Sequence, residues 1–255
     1  MKDMFRLDGK NAIVIGGAGG IGEGIAEALA AYGADVSIAS RKMEALLKAK
    51  EKIKEATGKD VTVYTVDASK EESIAALVET VLKDKDHMDI LVNAQGYNVK
   101  HHIVDLPMDV MKGMFEVNVI GIAMLCKYFG KHMKERGYGK IINVSSTRGS
   151  RACLGGNASY CSTKGALDML TRTLACDLGP EVTVNAIGPT NTVTPMMEDL
   201  IKEHPEILRS GDDKPLKRIG TVEDCMGPAV FLASDASCFV TGQILYADGG
   251  MTAIG

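Results

Sequence analysis

With 255 residues, 45% of them hydrophobic and 24% charged, the chain is long enough to bury one sizeable core or two small ones. A formal net charge of −4 leaves no global pull toward nucleic acid or an anionic membrane, so a small-molecule partner is expected. No apolar run reaches the ~18 residues of a spanning helix, the start MKDMFRLDGK lacks a leader's apolar core, and the six cysteines are dispersed without a C-x-x-C pair or metal-ligand spacing. A cytoplasmic protein with reduced thiols and no metal is the expectation.

The first apolar stretch, NAIVI at 11–15, predicts a strand, and it runs through GGAGGIG at 16–22 into a predicted helix over 20–32. A glycine loop between strand and helix lets backbone approach a pyrophosphate, and the helix N-terminus offers free N–H groups to it. Two registers are open: Gly17, Gly19 and Gly22 spell G-x-G-x-x-G, whereas Gly16, Gly20 and Gly22 spell G-x-x-x-G-x-G. The second strand, DVSIA at 35–39, opens on Asp35, at the wrong end of the sheet to bind a ribose. Its other end reads Ser40–Arg41, a hydroxyl beside a forked donor, which favours a 2′-phosphate and so NADP(H) over NAD(H).

Beyond a predicted helix over 42–57, VTVYTV at 61–66 leads to Asp67 at a strand end, suited to hydrogen bonding an adenine ring. A further helix is expected over 70–85, then the strand DILVN at 89–93 ending in Asn93 and the loop NAQGYNVKHH. FEVNVIG places Asn118 inside a helix, where a carboxamide is unfavourable unless it bonds something. KIINVS at 140–145 delivers Ser145 and Ser146 to another strand end, where a hydroxyl can donate to a developing oxyanion. In YCSTK, Tyr160 and Lys164 stand at i and i+4 on one helical face, so an ammonium near the phenol lowers its pKa and fits it for proton transfer near neutral pH. VTVNAI at 182–187 and QILYA at 243–247 complete seven strands.

Strands alternating with helices of ten or more residues imply right-handed crossovers and a parallel sheet covered on both faces. With no Pro/Gly/Ser linker or charge block to divide it, the chain is expected to form one α/β domain over 1–255: a Rossmann-like, doubly wound fold with a seven-stranded parallel sheet, its ligands at the carboxyl ends of the strands.

Taken together, these residues resemble the short-chain dehydrogenase/reductase family over nearly the whole chain. The loop at 16–22 is similar to the family's T-G-x-x-x-G-I-G with Ile15 in place of the threonine; Asn118, Ser146, Tyr160 and Lys164 match its catalytic tetrad; Pro189 and Thr194 match P-G-x-x-x-T; and PLKRIGTVED with VTGQILYADGG looks like its closing segment. The resemblance favours the wider glycine register and implies reversible hydride transfer between a nicotinamide and an alcohol or carbonyl carbon. It further implies cofactor contacts from Gly16, Gly19, Gly20, Ile21, Gly22, Ser40, Arg41, Asp67, Ala68, Asn93, Gly96, Tyr160, Lys164, Pro189, Thr192 and Thr194. Tyr160 would protonate the forming alkoxide, Lys164 would hold ribose hydroxyls and depress the tyrosine, Ser146 would orient the carbonyl, and Asn118 would hold a water linking Lys164 to solvent. A homotetramer, or a homodimer, is implied as well.

Departures from the pattern matter. N-N-A-G appears as NAQG, which puts Gln95 beside cofactor or substrate; Thr190 replaces a glycine; and one extra residue between Ser146 and Tyr160 keeps Ser145 in contention. Gly19 stands where NADP-preferring members often carry a basic residue. For the substrate, Gln95, Asn98, Arg148 and Arg151, with Lys100, His101, His102 and a loop around 190–215, make a polar, cationic lining, and YNVKH resembles the loop of gluconate 5-dehydrogenase-like members. A sugar, polyol or sugar acid is expected. The alternatives are a 3-oxoacyl-[acyl-carrier-protein] reductase, a hydroxysteroid dehydrogenase-type reductase, and a catalytically silent NADP-binding regulator.

Overall fold

Four consecutive residues of the strand β1 (Asn11–Ile15) are buried, and they alternate between two cores: Ala12 and Val14 enter one, Ile13 and Ile15 the other. A strand covered on both faces has no solvent side, which is why its sequence is an unbroken apolar run. In this computed structural model, which describes residues 3–194 and 198–254, the same logic holds for the inner strands, whereas the two edge strands, Thr62–Thr65 and Ile244–Ala247, are only partly buried.

The elements follow in the order β1, α1 (Gly20–Ala31), β2 (Asp35–Ser40), α2 (Met43–Thr57), β3 (Thr62–Thr65), α3 (Glu71–Lys85), β4 (Ile90–Asn93), α4 (Met108–Phe115) and α5 (Gly121–Arg136). They continue through β5 (Gly139–Val144), α6 (Ala158–Leu178), β6 (Val182–Pro189), β7 (Thr192–Val193), α7 (Glu198–Glu203), β8 (Gly220–Thr221), α8 (Glu223–Ala233) and β9 (Ile244–Ala247). The main sheet has the order β3-β2-β1-β4-β5-β6-β9, and every pairing in it is parallel.

On one face Ile25 and Leu29 of α1, Leu46 and Ile53 of α2, and Ala229 of α8 close the first core. On the other, Ile74 of α3, Phe129 of α5 and Leu167 of α6 close the second. Fully burying a side chain of this size contributes about 1.5–3 kcal/mol, so the two cores are what holds the layers together. α1 and α8 come so close that a Cβ at Gly24 would collide with Val222.

Register brings the carboxyl ends of the inner strands level. Ile15 lies opposite both Ala39 and Asn93, and Asn93 lies opposite Asn143. The chain leaves β1 toward β2 and β3, then returns to β4 on the other flank, so a crevice opens above β1 and β4 at the point where the winding reverses. The seven expected strands are the seven strands of this sheet, and the helices expected over 20–32, 42–57 and 70–85 agree to within a residue or two, the usual fraying of helix ends.

The parallel pair β7–β8 is an addition, with Thr192 opposite Gly220; two residues a strand are too few to show alternation in a sequence. Of the loop expected around 190–215, residues 195–197 lie outside the described residues, and the rest holds β7, α7 and a 3-10 turn over Pro205–Gly211. Among the described residues no helix is long and apolar enough to cross a membrane.

Candidate active site

The glycine loop leaves β1 at the crevice. Gly16 has φ +82°, and a Cβ there would sit 2.7 Å from the backbone nitrogen of Gln95, so the first loop glycine is packed against the end of β4. Gly20 has φ +55° and lies under Thr194, while a Cβ on Gly22 would run into the Gly16 carbonyl. Gly19 is different: its φ of 163° is ordinary extended backbone and a Cβ would meet nothing within 4 Å. Gly17 is closed as well, because a Cβ there would meet the Ile38 side chain at 2.8 Å, so Gly19 is the one glycine of the narrow register that packing leaves open, whereas each glycine of the wider register is packed or left-handed. Gly19 also supplies no side-chain cap to α1, which leaves first-turn N–H groups facing the crevice for an anion to use.

Two cavities adjoin along a shared wall formed by Gly19, Ala94, Gln95, Gly96 and Tyr97. The one over β2 and β3, about 410 Å³, is lined by Gly16, Ser40, Arg41, Asp67 and Ala68. Arg41 is exposed and makes no hydrogen bond or ion pair among the described residues, so its guanidinium is available to an incoming anion. Asp67 is held ionised, well below the usual carboxylate range, chiefly because its Oδ1 accepts from the Ser69 hydroxyl at 2.7 Å and the Ser69 N–H at 3.1 Å. Asp35 is tied to Lys85 at 2.8 Å at the opposite end of β2, away from both cavities. A glycine cradle closed to side chains at Gly16 and Gly22, an uncapped helix start and an unpaired arginine together fit the pyrophosphate and phosphorylated ribose of a dinucleotide.

The second cavity, about 320 Å³, is lined by Ile21, Gly22, Ser146, Tyr160, Lys164, Pro189, Thr192 and Thr194, with Gln95 and Asn98. α6 brings Tyr160 and Lys164 to one face, a helical turn apart. The Lys164 ammonium is buried, donates to the Val144 carbonyl at 2.8 Å, and is pushed by burial down to about 8, with Asp168 opposing. The Tyr160 phenol is pushed up, chiefly by burial, against the opposing influence of the Ser146 hydroxyl and the charge of Arg148. The expected depression of Tyr160 by Lys164 is thus not produced by the protein itself: the ammonium is 5.7 Å from the ring centroid and turned to Val144. Burial outweighs the nearby donors, and the phenol stays neutral.

The two serines are separated by their partners. Ser145 donates to Asp168 in a short, buried hydrogen bond, while Ser146 accepts the Arg148 N–H at 3.2 Å and lines the second cavity with Tyr160. Both serines line the second cavity, but the Ser145 hydroxyl is engaged by Asp168, whereas the Ser146 hydroxyl is not.

Asn118 sits in a π-helical turn, Glu116–Ile120, between α4 and α5, and is fully buried. Its Oδ1 accepts the Tyr97 N–H at 3.1 Å, and its Nδ2 donates to the Tyr97 carbonyl at 3.0 Å and to Thr163 Oγ1 at 3.2 Å. Thr163 in turn donates to the Tyr160 carbonyl at 2.8 Å. Both amide hydrogens and one Oδ1 lone pair of the carboxamide expected to hold a water are engaged by protein groups, because the wide turn aims it at the backbone of the β4 loop.

Other expected residues are placed elsewhere. Asn93 lines neither cavity; its Nδ2 donates to Asn143 Oδ1 at 2.9 Å, since strand alternation turns it into the sheet's interior toward α5. Arg151 clasps the carboxyl-terminal turn, donating to the Met251 carbonyl and, at 2.7 Å, to the Ile254 carbonyl, and lines neither cavity. Arg148 lines neither, although its charge reaches Tyr160. Lys100, His101 and His102 stand outside both cavities, with the His101 N–H donating to Gly156 O at 2.9 Å. Asn98 lines the second cavity and donates to Asn157 Oδ1 at 2.9 Å. Gln95 belongs to the shared wall, and neither end of its carboxamide finds a partner in the protein. Sequence inspection missed Thr163, Asp168 and Lys42, of which Lys42 lines the first cavity beside Arg41; only the spacing of Asp168 one turn beyond Lys164 signalled any of them.

Against known proteins, the profile of the family described as enoyl-(acyl carrier protein) reductase matches residues 16–252. Gluconate 5-dehydrogenase of Gluconobacter oxydans is 34% identical over 251 residues, covering 98% of this chain and 97% of its own length. The 2-dehydro-3-deoxy-D-gluconate 5-dehydrogenase of Bacillus subtilis is 36% identical over 255 residues, covering 98% and 97%. The crystal structure of a gluconate 5-dehydrogenase from Burkholderia cenocepacia in complex with NADP and tartrate superposes with a TM-score of 0.90 at 31% identity, covering 99% of each chain.

Proposed function

The chain belongs to the short-chain dehydrogenase/reductase family of oxidoreductases acting on CH–OH groups, and from that premise we propose that it interconverts an alcohol and a ketone on a polyol or sugar acid, with NADP(H) preferred over NAD(H). One observation carries the proposal: Tyr160, one helical turn from Lys164, shares with it and with Ser146 a cavity whose lining is chiefly glycine, hydroxyl and carboxamide groups. Such a wall matches hydroxyls far better than a steroid or an acyl chain, which would leave those polar groups unpaired.

In the reductive direction the Tyr160 phenol gives its proton to the carbonyl oxygen, and in the oxidative direction it takes the proton back. A neutral phenol at the resting state suits the acid role, in line with the upward push of burial. Ser146 hydrogen-bonds the same oxygen and fixes the carbonyl's orientation. Lys164, with one hydrogen bond spent on Val144, keeps donors for ribose hydroxyls and places positive charge near the phenol as it ionises. Asn118 acts through others: it holds Tyr97 and Thr163, and so the wall between the two cavities. When bound, the nicotinamide supplies the hydride donor or acceptor. Gly16, Gly20 and Gly22 with the start of α1 hold the diphosphate, and Ser40 and Arg41 hold the 2′-phosphate. The NADP in the B. cenocepacia relative and the gluconate-derived names of the relatives agree with this assignment.

The test is a steady-state screen of purified protein with NADPH and NADH against ketogluconates, ketoses, steroids and acyl thioesters. Highest kcat/KM on a ketogluconate or ketose with NADPH is expected. A preference for a thioester or a steroid overturns the substrate assignment.

A further inference from the structure

We propose that Cys153 and Cys161 form an oxidisable dithiol at the edge of the cleft, which takes a low-molecular-weight disulfide as its reactant and closes into an intramolecular disulfide. The two Sγ atoms lie 4.0 Å apart, in van der Waals contact, with both residues half-buried and so open to a small reagent. A disulfide is about 2.05 Å long, so closure needs roughly 2 Å of approach. Movement of that size is available on one side only. Cys161 is in the first turn of α6, but Cys153 is in the irregular segment between the 3-10 turn Thr147–Gly149 and α6, beside the solvent-exposed Leu154.

The other cysteines lack this setting: Cys176 and Cys238 are exposed, with no second thiol in contact among the described residues. Cys126 and Cys225 are buried, and burial pushes both thiols up to about 12, which suppresses the reactive thiolate. At Cys161 burial and the neighbouring Cys153 raise the thiol, while the charge of Arg148 opposes them. The chemistry balances in two exchanges. One protein thiolate attacks a sulfur of the small disulfide, forming a mixed disulfide and releasing one small thiol. The second protein thiolate then attacks the protein sulfur of that mixed disulfide, forming the Cys153–Cys161 bond and releasing the second small thiol. The protein pair is oxidised by two electrons and the reagent reduced by two.

A link here reaches the substrate side of the cleft. Cys161 follows Tyr160 directly, and the segment of Cys153 carries Asn157, whose Oδ1 accepts from Asn98, a wall residue of the cavity holding Tyr160. Drawing Cys153 toward α6 shifts that wall, while the glycine loop and Arg41 stand on other elements. This consequence, unlike the cross-link itself, rests on the function proposed above.

The experiment uses the full chain, first reduced and then incubated with oxidised glutathione, followed by intact-mass measurement, non-reducing peptide mapping and thiol counting. The expected product has lost two hydrogens with no glutathionyl retained at this pair, maps to a Cys153–Cys161 cross-link, and reverts with dithiothreitol; Cys153→Ser and Cys161→Ser each abolish it. KM for the carbonyl substrate rises at least ~5-fold in the cross-linked form, with the NADPH dissociation constant unchanged. A glutathionyl that persists on either cysteine, a cross-link between other cysteines, or a cross-link without effect on KM overturns the proposal. Should the chain reduce none of the sugar acids tried, the functional assignment fails, and the mapping and thiol count still decide the dithiol.

Discussion

Asn118 pairs with Tyr97 as one strand pairs with another: the side-chain carboxamide accepts the Tyr97 N–H at 3.1 Å and donates to the Tyr97 carbonyl at 3.0 Å. It adds Thr163 at 3.2 Å, and so bridges the β4 loop to α6 beneath the two cavities. Replacing Asn118 by Ala leaves the Tyr97 N–H and carbonyl without these partners and takes one donor from the Thr163 hydroxyl, at a net cost of about 2 kcal/mol. The Tm should fall by roughly 4–8 °C together with kcat/KM. A loss of kcat with unchanged Tm would show instead that the residue serves only to hold a water.

Tyr160→Phe removes the proton and keeps the ring. Turnover should drop at least ~100-fold while NADPH binding, followed by the fluorescence of the reduced nicotinamide, stays within about 3-fold. Retained turnover would exclude the phenol as the general acid.

Lys164 makes stability depend on pH in a direction set by its burial. Its pKa falls from 10.5 to about 8 on folding, so the folded chain holds that proton less tightly than the unfolded chain. The resulting penalty, ~3 kcal/mol, is complete below pH about 8 and fades as the pH climbs toward 10.5. Lys164→Met lifts the penalty but gives up the hydrogen bond to Val144, which is about 1 kcal/mol. Denaturant titrations should find the variant more stable by about 2 kcal/mol at pH 7 and no more stable at pH about 10.5. A gain that does not change with pH would contradict the burial argument.

The proposed preference for NADP is tested at Arg41 and Gly19. Arg41→Ala should weaken NADP binding ~10-fold or more while NAD binding hardly moves. Gly19→Arg projects a second guanidinium into open space, because no atom lies within 4 Å of a Cβ there, and should tighten NADP relative to NAD. Equal effects on the two dinucleotides would show that neither position reads the phosphate.

Gln95 keeps both ends of a buried carboxamide without a protein partner. Gln95→Met preserves the shape and removes the unmet groups, so the free protein should gain about 1–3 kcal/mol and melt several degrees higher. A lower Tm would mean that an ordered water satisfies the carboxamide.

The strands, the glycine loop and the Tyr160–Lys164 pair were legible in the chain itself, because each is governed by neighbours within about four residues. Alternation under a two-sided core makes NAIVI a strand, and a helical turn brings residue 164 over residue 160. The motif pointed to Ser146 and kept Ser145 in contention; what was not legible is the difference in their partners, because Asp168, 23 residues away, captures the Ser145 hydroxyl. Arg151 looked like a substrate contact until the fold set the Met251 and Ile254 carbonyls beside it, across separations of 100 and 103 residues. Asn93, at a strand end like the true wall residues, is turned inward by its pairing with Asn143. Local periodicity specifies which backbone forms; which polar group meets which is decided by packing, since partners distant in the chain become neighbours only when the two cores close.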